Sequence, residues 1–341
     1  MEKLSYNVPE FGTLTKVADD LYWTRFTLPF RLNHINLYII DTPDGWVLID
    51  AGINAETTAA QWRALLDGPL ATQPVHKIIV THHHVDHIGF AGPLCEMTKA
   101  PLYMSAQEYI KARWLLEQDD EVFAQLVERT YRAYGLDEAN CALARSDKGR
   151  FARHVAPIPP AHHLAAGDKI LSRNGCFEVR LDEGHSQSQI GLCDKERGLY
   201  IAMDFLLPRI SPNISVDLRD LSKDLLGAYL SYLDGIKQMD ENWHIFPGHD
   251  WPFTQGASRA KELISHHHER LDALCIAAAN GPLTVDEAMG TLFGKRFEAH
   301  ELYFASGEAR AHLTHLVATG RMNLHQDMTG QAPDYFALSQ P

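Results

Sequence analysis

The segment Thr81-His82-His83-His84-Val85-Asp86-His87-Ile88-Gly89 gathers imidazoles and one carboxylate into a few residues. His82 and His84, separated by one residue, can both face one point, while Asp86 and His87 can face a second point close by. Imidazole nitrogen and carboxylate oxygen are the donors that a borderline divalent ion prefers. One such loop offers too few donors for two ions, so others must come from elsewhere in the chain. Three later segments offer them at the ends of strand-like runs: His185 in Glu183-Gly184-His185-Ser186, Asp204 in Ala202-Met203-Asp204, and His249 in Pro247-Gly248-His249-Asp250. Glycine before His185 and before His249 lets the backbone approach closely. Nineteen histidines in 341 residues agree with a metal-binding chemistry.

The elements that must carry these donors are predicted by pattern. LYWTRFTLPF, NLYIID and GWVLID are β-branched or aromatic runs, and Thr42-Pro43-Asp44-Gly45 between the last two is a hairpin turn. AETTAAQWRALLDG reads as a helix that starts after Asn54 and stops at Gly68-Pro69. VHKIIV is a short apolar strand that runs into the histidine loop, followed by a helix (FAGPLCEMTKA) and a strand (PLYMS), a βαβ-like order. From residue 105 to about 150 apolar residues recur at helical spacing, and Pro157, Pro159 and Pro160 close the stretch. Strands resume with KIL, CFEVRLDE, IGLCD, GLYIAMD and HIFPG. After Pro252 the pattern predicts three helices and a short wing over 257–322, then a loosely held tail. The expected division is a main domain over 1–255 with a helical insertion at 105–165, an appendage over 256–325 and a tail over 326–341.

The order HxHxDH, GH, D, GH, preceded by Val47-Leu48-Ile49-Asp50-Ala51-Gly52, resembles the metallo-β-lactamase superfamily, in its glyoxalase II-like, two-metal branch. The resemblance covers about residues 15–252, and the segment GPLTVDEAM … ARAHLTHLVATGRM is similar to the winged-helix-like appendage of lactamase-β-2-like proteins. It implies an α/β (α+β) fold, a four-layer αββα sandwich with the metals at one edge where the motif loops meet. It implies that His82, His84 and His185 hold a first metal, that Asp86, His87 and His249 hold a second, and that Asp204 bridges the two. Asp50 then accepts a bond from a ligand imidazole and fixes its tautomer. The implied cofactors are two divalent ions, zinc before iron, manganese or nickel. They lower the pKa of a bridging water from about 16 towards 7. The implied activity is a binuclear metal-dependent hydrolase, in which a bridging hydroxide oriented by Asp86 attacks a small-molecule thioester, ester or lactone. Alternatives on the same fold are a ribonuclease or phosphodiesterase, a mono-iron sulfur dioxygenase, and a non-catalytic binding module. Three departures narrow the branch. His84 rather than glutamate argues against flavodiiron proteins, and Asp204 rather than cysteine against the common zinc β-lactamases. Gln189 in GHSQSQ stands where the family often has a second histidine, which leaves the local turn open.

Composition bounds the partners. Lys+Arg 31 against Asp+Glu 44 gives a net charge of −13, and residues 257–322 hold seven Lys/Arg against eight Asp/Glu. A phosphate backbone is held by clustered cations, so a small-molecule substrate is expected rather than nucleic acid. Five dispersed cysteines without a CxxC pair argue against a disulfide framework and fit a reducing cytoplasm. No apolar run approaches the roughly 18 residues of a membrane helix, so no membrane partner is expected.

Other residues carry two readings. Tyr109, Trp114, Phe123, Tyr131 and Tyr134 in the insertion belong to a lid over the metals, to the core, or to a homodimer contact. Trp251 lines the pocket or the core. His34 and Asn36 read best as a polar turn at a strand entry. His266-His267-His268 and His162-His163 read as solvated faces, because consecutive side chains diverge.

Overall fold

In the computed structural model all residues are described except 147–149, 295–298, 328, 330–331 and 340–341. The β-branched and aromatic runs pair into two seven-stranded sheets. In the first, Thr15–Ala18, Leu21–Thr27, His34–Thr42, Gly45–Ile49, Val75–Ile79, Leu102–Met104 and Ala161–His163 lie side by side in chain order. The first four strands are antiparallel, and Thr42 faces Gly45 across the expected two-residue turn. From Gly45–Ile49 onward the pairing is parallel, because helical crossovers return each strand in the same direction. The second sheet runs Glu2–Lys3, Phe253–Thr254, His244–Pro247, Leu199–Met203, Gln189–Asp194, Cys176–Asp182 and Lys169–Leu171. Within it only Leu199–Met203 and His244–Pro247 pair in parallel.

Period-two alternation decides what each strand buries. Tyr38 and Ile40, Val47 and Ile49, and Ile79 point to the inner face, where they meet Phe177, Val179, Leu192, Ile201 and Phe246 of the second sheet. Ile39, Leu48 and Ile78, from the same strands, point outward. There they pack on Trp62 and Leu65 of the helix Glu56–Asp67, Leu94 of Ala91–Thr98 and Ala112 of Ala106–Glu117. Each such side chain contributes about 1.5–3 kcal/mol by burial. The expected αββα class is therefore observed, with an interior on both faces of the first sheet.

The chain divides into two compact units, and the division is not the linear one expected. The first comprises Met1–Glu117, Arg150–Pro212 and Ile236–Ala260 and holds both sheets. The second comprises Gln118–Gly149, Asn213–Gly235 and Lys261–Pro341. The predicted insertion is thus split: the helix Ala106–Glu117 and the strand Ala161–His163 belong to the first unit, while Asp120–Ala133 and Glu138–Ser146 belong to the second. Periodicity identifies a helix but not the partner that its apolar stripe meets. The three predicted appendage helices are present, including Val285–Phe293, which Thr284 and Glu287 start with a capping box. Part of the expected tail is held in place. Tyr335–Leu338 pairs antiparallel with Met322–His325, and Phe336 is fully buried.

Candidate metal centre

Strand direction brings the candidate donors together. In the first sheet, Val75–Ile79 and its parallel neighbour Gly45–Ile49 end side by side, delivering His82 and Asp50. In the second, Cys176–Asp182 is antiparallel to Gln189–Asp194, which is antiparallel to Leu199–Met203, which is parallel to His244–Pro247. The first, third and fourth of these strands therefore run one way, and His185, Asp204 and His249 leave at one edge. Asp50, Met203 and Asp250, all at these strand ends, have φ of +65°, +45° and +67°. Backbone in this region is held by its surroundings and clusters where side chains must be aimed.

The donors form two groups, within each of which one donor atom per residue lies within 4.8 Å of the others: His82, His84, His185 and Asp204, and Asp86, His87 and His249. Asp204 touches both. Its Oδ2 lies 3.6 Å from His185 Nε2, 3.4 Å from His87 Nε2 and 3.4 Å from His249 Nε2. Asp86 Oδ2 lies 3.5 Å from His249 Nε2, and His82 Nε2 lies 2.9 Å from His84 Nδ1. All seven residues expected from the motifs thus converge.

Two observations test whether a metal fits. Asp204 Oδ1 and His87 Nε2 are buried without a hydrogen-bond partner among the described residues, and buried polar atoms are seldom left so. A Cβ at Gly248 would stand 2.1 Å from Asp204 Oδ1 and 3.3 Å from His87 Cε1, so only glycine leaves this space open. Nitrogen and oxygen donors facing such a space fit divalent-metal coordination.

The outer bonds aim the rings. His87 Nδ1 donates to Asp50 Oδ2 at 2.7 Å, leaving Nε2 towards Asp204. Asp50 also accepts from Thr81, through its backbone N–H at 2.7 Å and its hydroxyl at 2.8 Å. His249 Nδ1 donates to the His34 carbonyl at 2.8 Å, which likewise frees Nε2. His34 Nε2 accepts from the Asp250 N–H at 2.8 Å. Asn36 donates to the Gly248 carbonyl from its backbone and to the Pro247 carbonyl from its amide, at 2.7 and 3.0 Å. Arg25 donates to Asn36 Oδ1 at 3.0 Å and to the Asp250 carbonyl. His34 and Asn36 are therefore not a mere polar turn. They brace the loop of His249, through backbone groups more than 200 positions away that no local pattern reveals.

Charge follows from this packing. Burial, then the neighbouring imidazoles, hold His82 and His84 well below the ordinary histidine range. Burial also works against a charged His87, but Asp204, Asp50 and Asp86 outweigh it and push it well above that range. His249 is pushed up to about 9 in the same way, by Asp204 and Asp86 against burial. Burial opposes the charge on Asp204, yet His249 and His87 hold it well below the usual carboxylate range. The carboxylates thus draw positive charge to one point.

Sequence reasoning missed Glu108. It is fully buried, accepts from His83 and Ser188, and remains ionised because His83 and these bonds outweigh burial. The only signal is Ser105-x-x-Glu108, which reads as an ordinary helix start. His266–His268 is not a solvated face throughout. His267 is fully buried and its Nδ1 donates to His312 Nε2 at 3.2 Å, because the middle residue of the run points inward. His162 and His163 are exposed on the edge strand Ala161–His163. Gln189 is buried, and its amide donates to the Ala202 carbonyl at 2.9 Å, so it holds two strands together rather than offering a metal donor. Tyr131 and Tyr134 are core residues of the second unit, and Tyr109 packs on the core of the first. Trp251 is half-buried, with the Lys3 amine 5.1 Å and the Arg209 guanidinium 5.5 Å from its ring. Among the described residues, no helix is long and apolar enough to cross a membrane.

Comparison with known proteins gives the same answer twice. Residues 31–249 match the family model described as the metallo-beta-lactamase superfamily, and residues 271–332 match that of the metallo-beta-lactamase-like C-terminal domain. The chain is 22% identical over 309 residues to the "Probable metallo-hydrolase YqjP" of Bacillus subtilis (strain 168), covering 88% of this chain and 93% of that one. It is similar to the crystal structure of a beta-lactamase domain protein from Burkholderia ambifaria, with a TM-score of 0.87, 28% identity, and coverage of 99% of this chain and 97% of that one. A metallo-beta-lactamase family protein from Thermus thermophilus has a TM-score of 0.76 and 25% identity, over 95% of this chain and 100% of that one. With the motifs, the sandwich and the converging donors in place, this chain belongs to the metallo-beta-lactamase superfamily and is a metal-dependent hydrolase by family.

Proposed function

We propose that this hydrolase uses two divalent ions, zinc first among them, to cleave a small-molecule thioester, ester or lactone. The observation that carries the reading is the pair of donor groups sharing Asp204. His82, His84 and His185 would hold one ion, Asp86, His87 and His249 the other, and Asp204 both. When bound, such ions supply Lewis acidity and lower the pKa of a water from about 16 towards 7. The chain's own residues do the rest. Asp50 and the His34 carbonyl keep Nδ1 of His87 and His249 protonated, so that Nε2 stays a donor. Asp86 is only half-buried where His87 and His249 are enclosed, so its carboxylate is the one able to orient a water and accept its proton. No serine or cysteine nucleophile is needed. The net charge of −13, and the excess of acid in 257–322, favour a small substrate over a polynucleotide. A cytoplasmic location belongs to the same reading.

The test is elemental analysis of protein purified without chelator, with a panel of thioesters, lactones, phosphodiesters and β-lactams. Two equivalents of transition metal and turnover of the carbonyl substrates are expected. Asp86→Ala and His185→Ala should abolish that turnover while circular dichroism stays unchanged. Metal-free protein, or variants as active as the parent, would overturn the proposal. Iron-dependent oxygen uptake would favour the sulfur dioxygenase reading instead.

A further inference from the structure

We propose that Glu108 is a positioning residue that locks the loop of His82 and His84 to the loop of His185, and so sets the three-histidine half of the centre. The inference rests on the two-metal reading above.

Glu108 has no exposed surface, and a buried carboxylate is costly unless its oxygens are satisfied. Here they are satisfied by two different loops. Oε2 accepts from the His83 backbone N–H at 3.0 Å and from His83 Nδ1 at 2.6 Å. Oε1 accepts from the Ser188 N–H at 2.7 Å. His83 stands between His82 and His84, and Ser188 lies three residues past His185. The neighbouring Ser105 completes the clamp. Its hydroxyl donates to the Ser188 carbonyl at 2.7 Å and accepts from the Glu108 N–H at 3.3 Å. One helix start thus holds Ser188 by both its backbone groups and His83 by backbone and ring.

A carboxylate at this position of a helix would ordinarily turn back to the residue that begins the helix. Glu108 bonds to the two metal-site loops instead. A helix-capping role does not require that, and neither does packing, which an apolar side chain would serve better. The other half of the centre has separate braces. His87 is held by Asp50, and His249 by the His34 carbonyl. Because Glu108 bonds to neither of these braces, loss of Glu108 should loosen one ion and spare the other.

The experiment is competition of the Zn²⁺-loaded full chain against a chelator, read as the affinity of each of two equivalents, for the parent, Glu108→Gln and His83→Ala. Glutamine keeps the size but presents an N–H₂ where an N–H must be accepted, so one loop is released. One equivalent should weaken by about 10–100-fold in Glu108→Gln, the usual cost of losing a residue that orients a metal ligand. The second equivalent should keep its affinity. His83→Ala removes only the ring bond, so the same equivalent should weaken by less. If both variants hold both ions as the parent does, or lose both equally, the clamp is overturned. If Glu108→Gln does not fold by circular dichroism, His83→Ala decides alone. A parent that never binds two ions overturns the two-metal reading instead.

Discussion

At the residue scale, the centre depends on which nitrogen each imidazole presents. Asp50 is the sharpest case, since one carboxylate serves both Thr81 and His87, and its own backbone sits at φ +65°. Asparagine tolerates that backbone, so Asp50→Asn changes the acceptor and the charge but not the chain path. The amide oxygen, set in the place of Oδ2, still accepts from His87 and the Thr81 hydroxyl but leaves an N–H₂ facing the Thr81 N–H; turned the other way it satisfies that N–H and loses His87. We expect metal affinity or activity to fall about 10–100-fold, with the ring of His87 no longer fixed in one tautomer. Chelator competition together with thermal unfolding of the metal-free protein separates this from simple destabilisation. A variant with parental affinity would show that His87 needs no negative charge behind it to present Nε2.

At the element scale, the site is an edge effect of strand direction. Leu199–Met203 and His244–Pro247 are parallel, so the residues just past them, Asp204 and Gly248-His249, meet without any turn between them. Gly248→Ala would drive a Cβ to 2.1 Å from Asp204 Oδ1, and the carboxylate must move. The expected result is a folded chain, unchanged by circular dichroism, that has lost metal; full metal content would mean that the loop yields instead. These strands and their terminal donors were legible in the sequence, because apolar runs ending in Gly-His or Asp are local patterns. The braces were not. His34, Asn36 and Glu108 act through bonds to backbone groups or to loops 25 to 216 positions away, and nothing in their own neighbourhood distinguishes them from turn or helix-start residues. The partition of the helices failed for a related reason. Residues 118–149 show the right period, but the stripe alone does not say that Ala124, Val127 and Tyr131 bury in the second unit.

At the scale of the whole molecule, the second unit has a polar interior of its own, and it makes that unit sensitive to pH. Glu308 is nearly fully buried, with Arg270 at 3.3 Å and Asn213 at 3.1 Å, yet burial outweighs both and pushes its carboxyl up to about 7. His267 and His312 go the other way. Burial, then each ring's charged surroundings (Arg270 and His266 in both cases), push them down to about 2 and about 4. For Glu308 the folded chain holds the proton more tightly, so its contribution is full below about 4.5 and lost as pH rises through about 7. For the two histidines the unfolded chain takes the proton first, so their contribution is full above about 6.5 and lost as pH falls. Each group acting alone tilts stability by about 1.4 kcal/mol per pH unit. Between about pH 4.5 and 6.5 two tilts oppose one, and acid should cost the unit about 1.4 kcal/mol per pH unit. Glu308→Gln removes the opposing tilt, so its loss of stability in acid should steepen to about twice that. Denaturant unfolding of parent and variant from about pH 4.5 to 7, followed by amide exchange within the helix Ala299–Ala318, measures the difference directly, and titration at the metal centre cancels between the two chains. A parallel or shallower acid limb in the variant would mean that Arg270 keeps Glu308 ionised, and that the interior of this unit holds a charged pair where a neutral acid is expected.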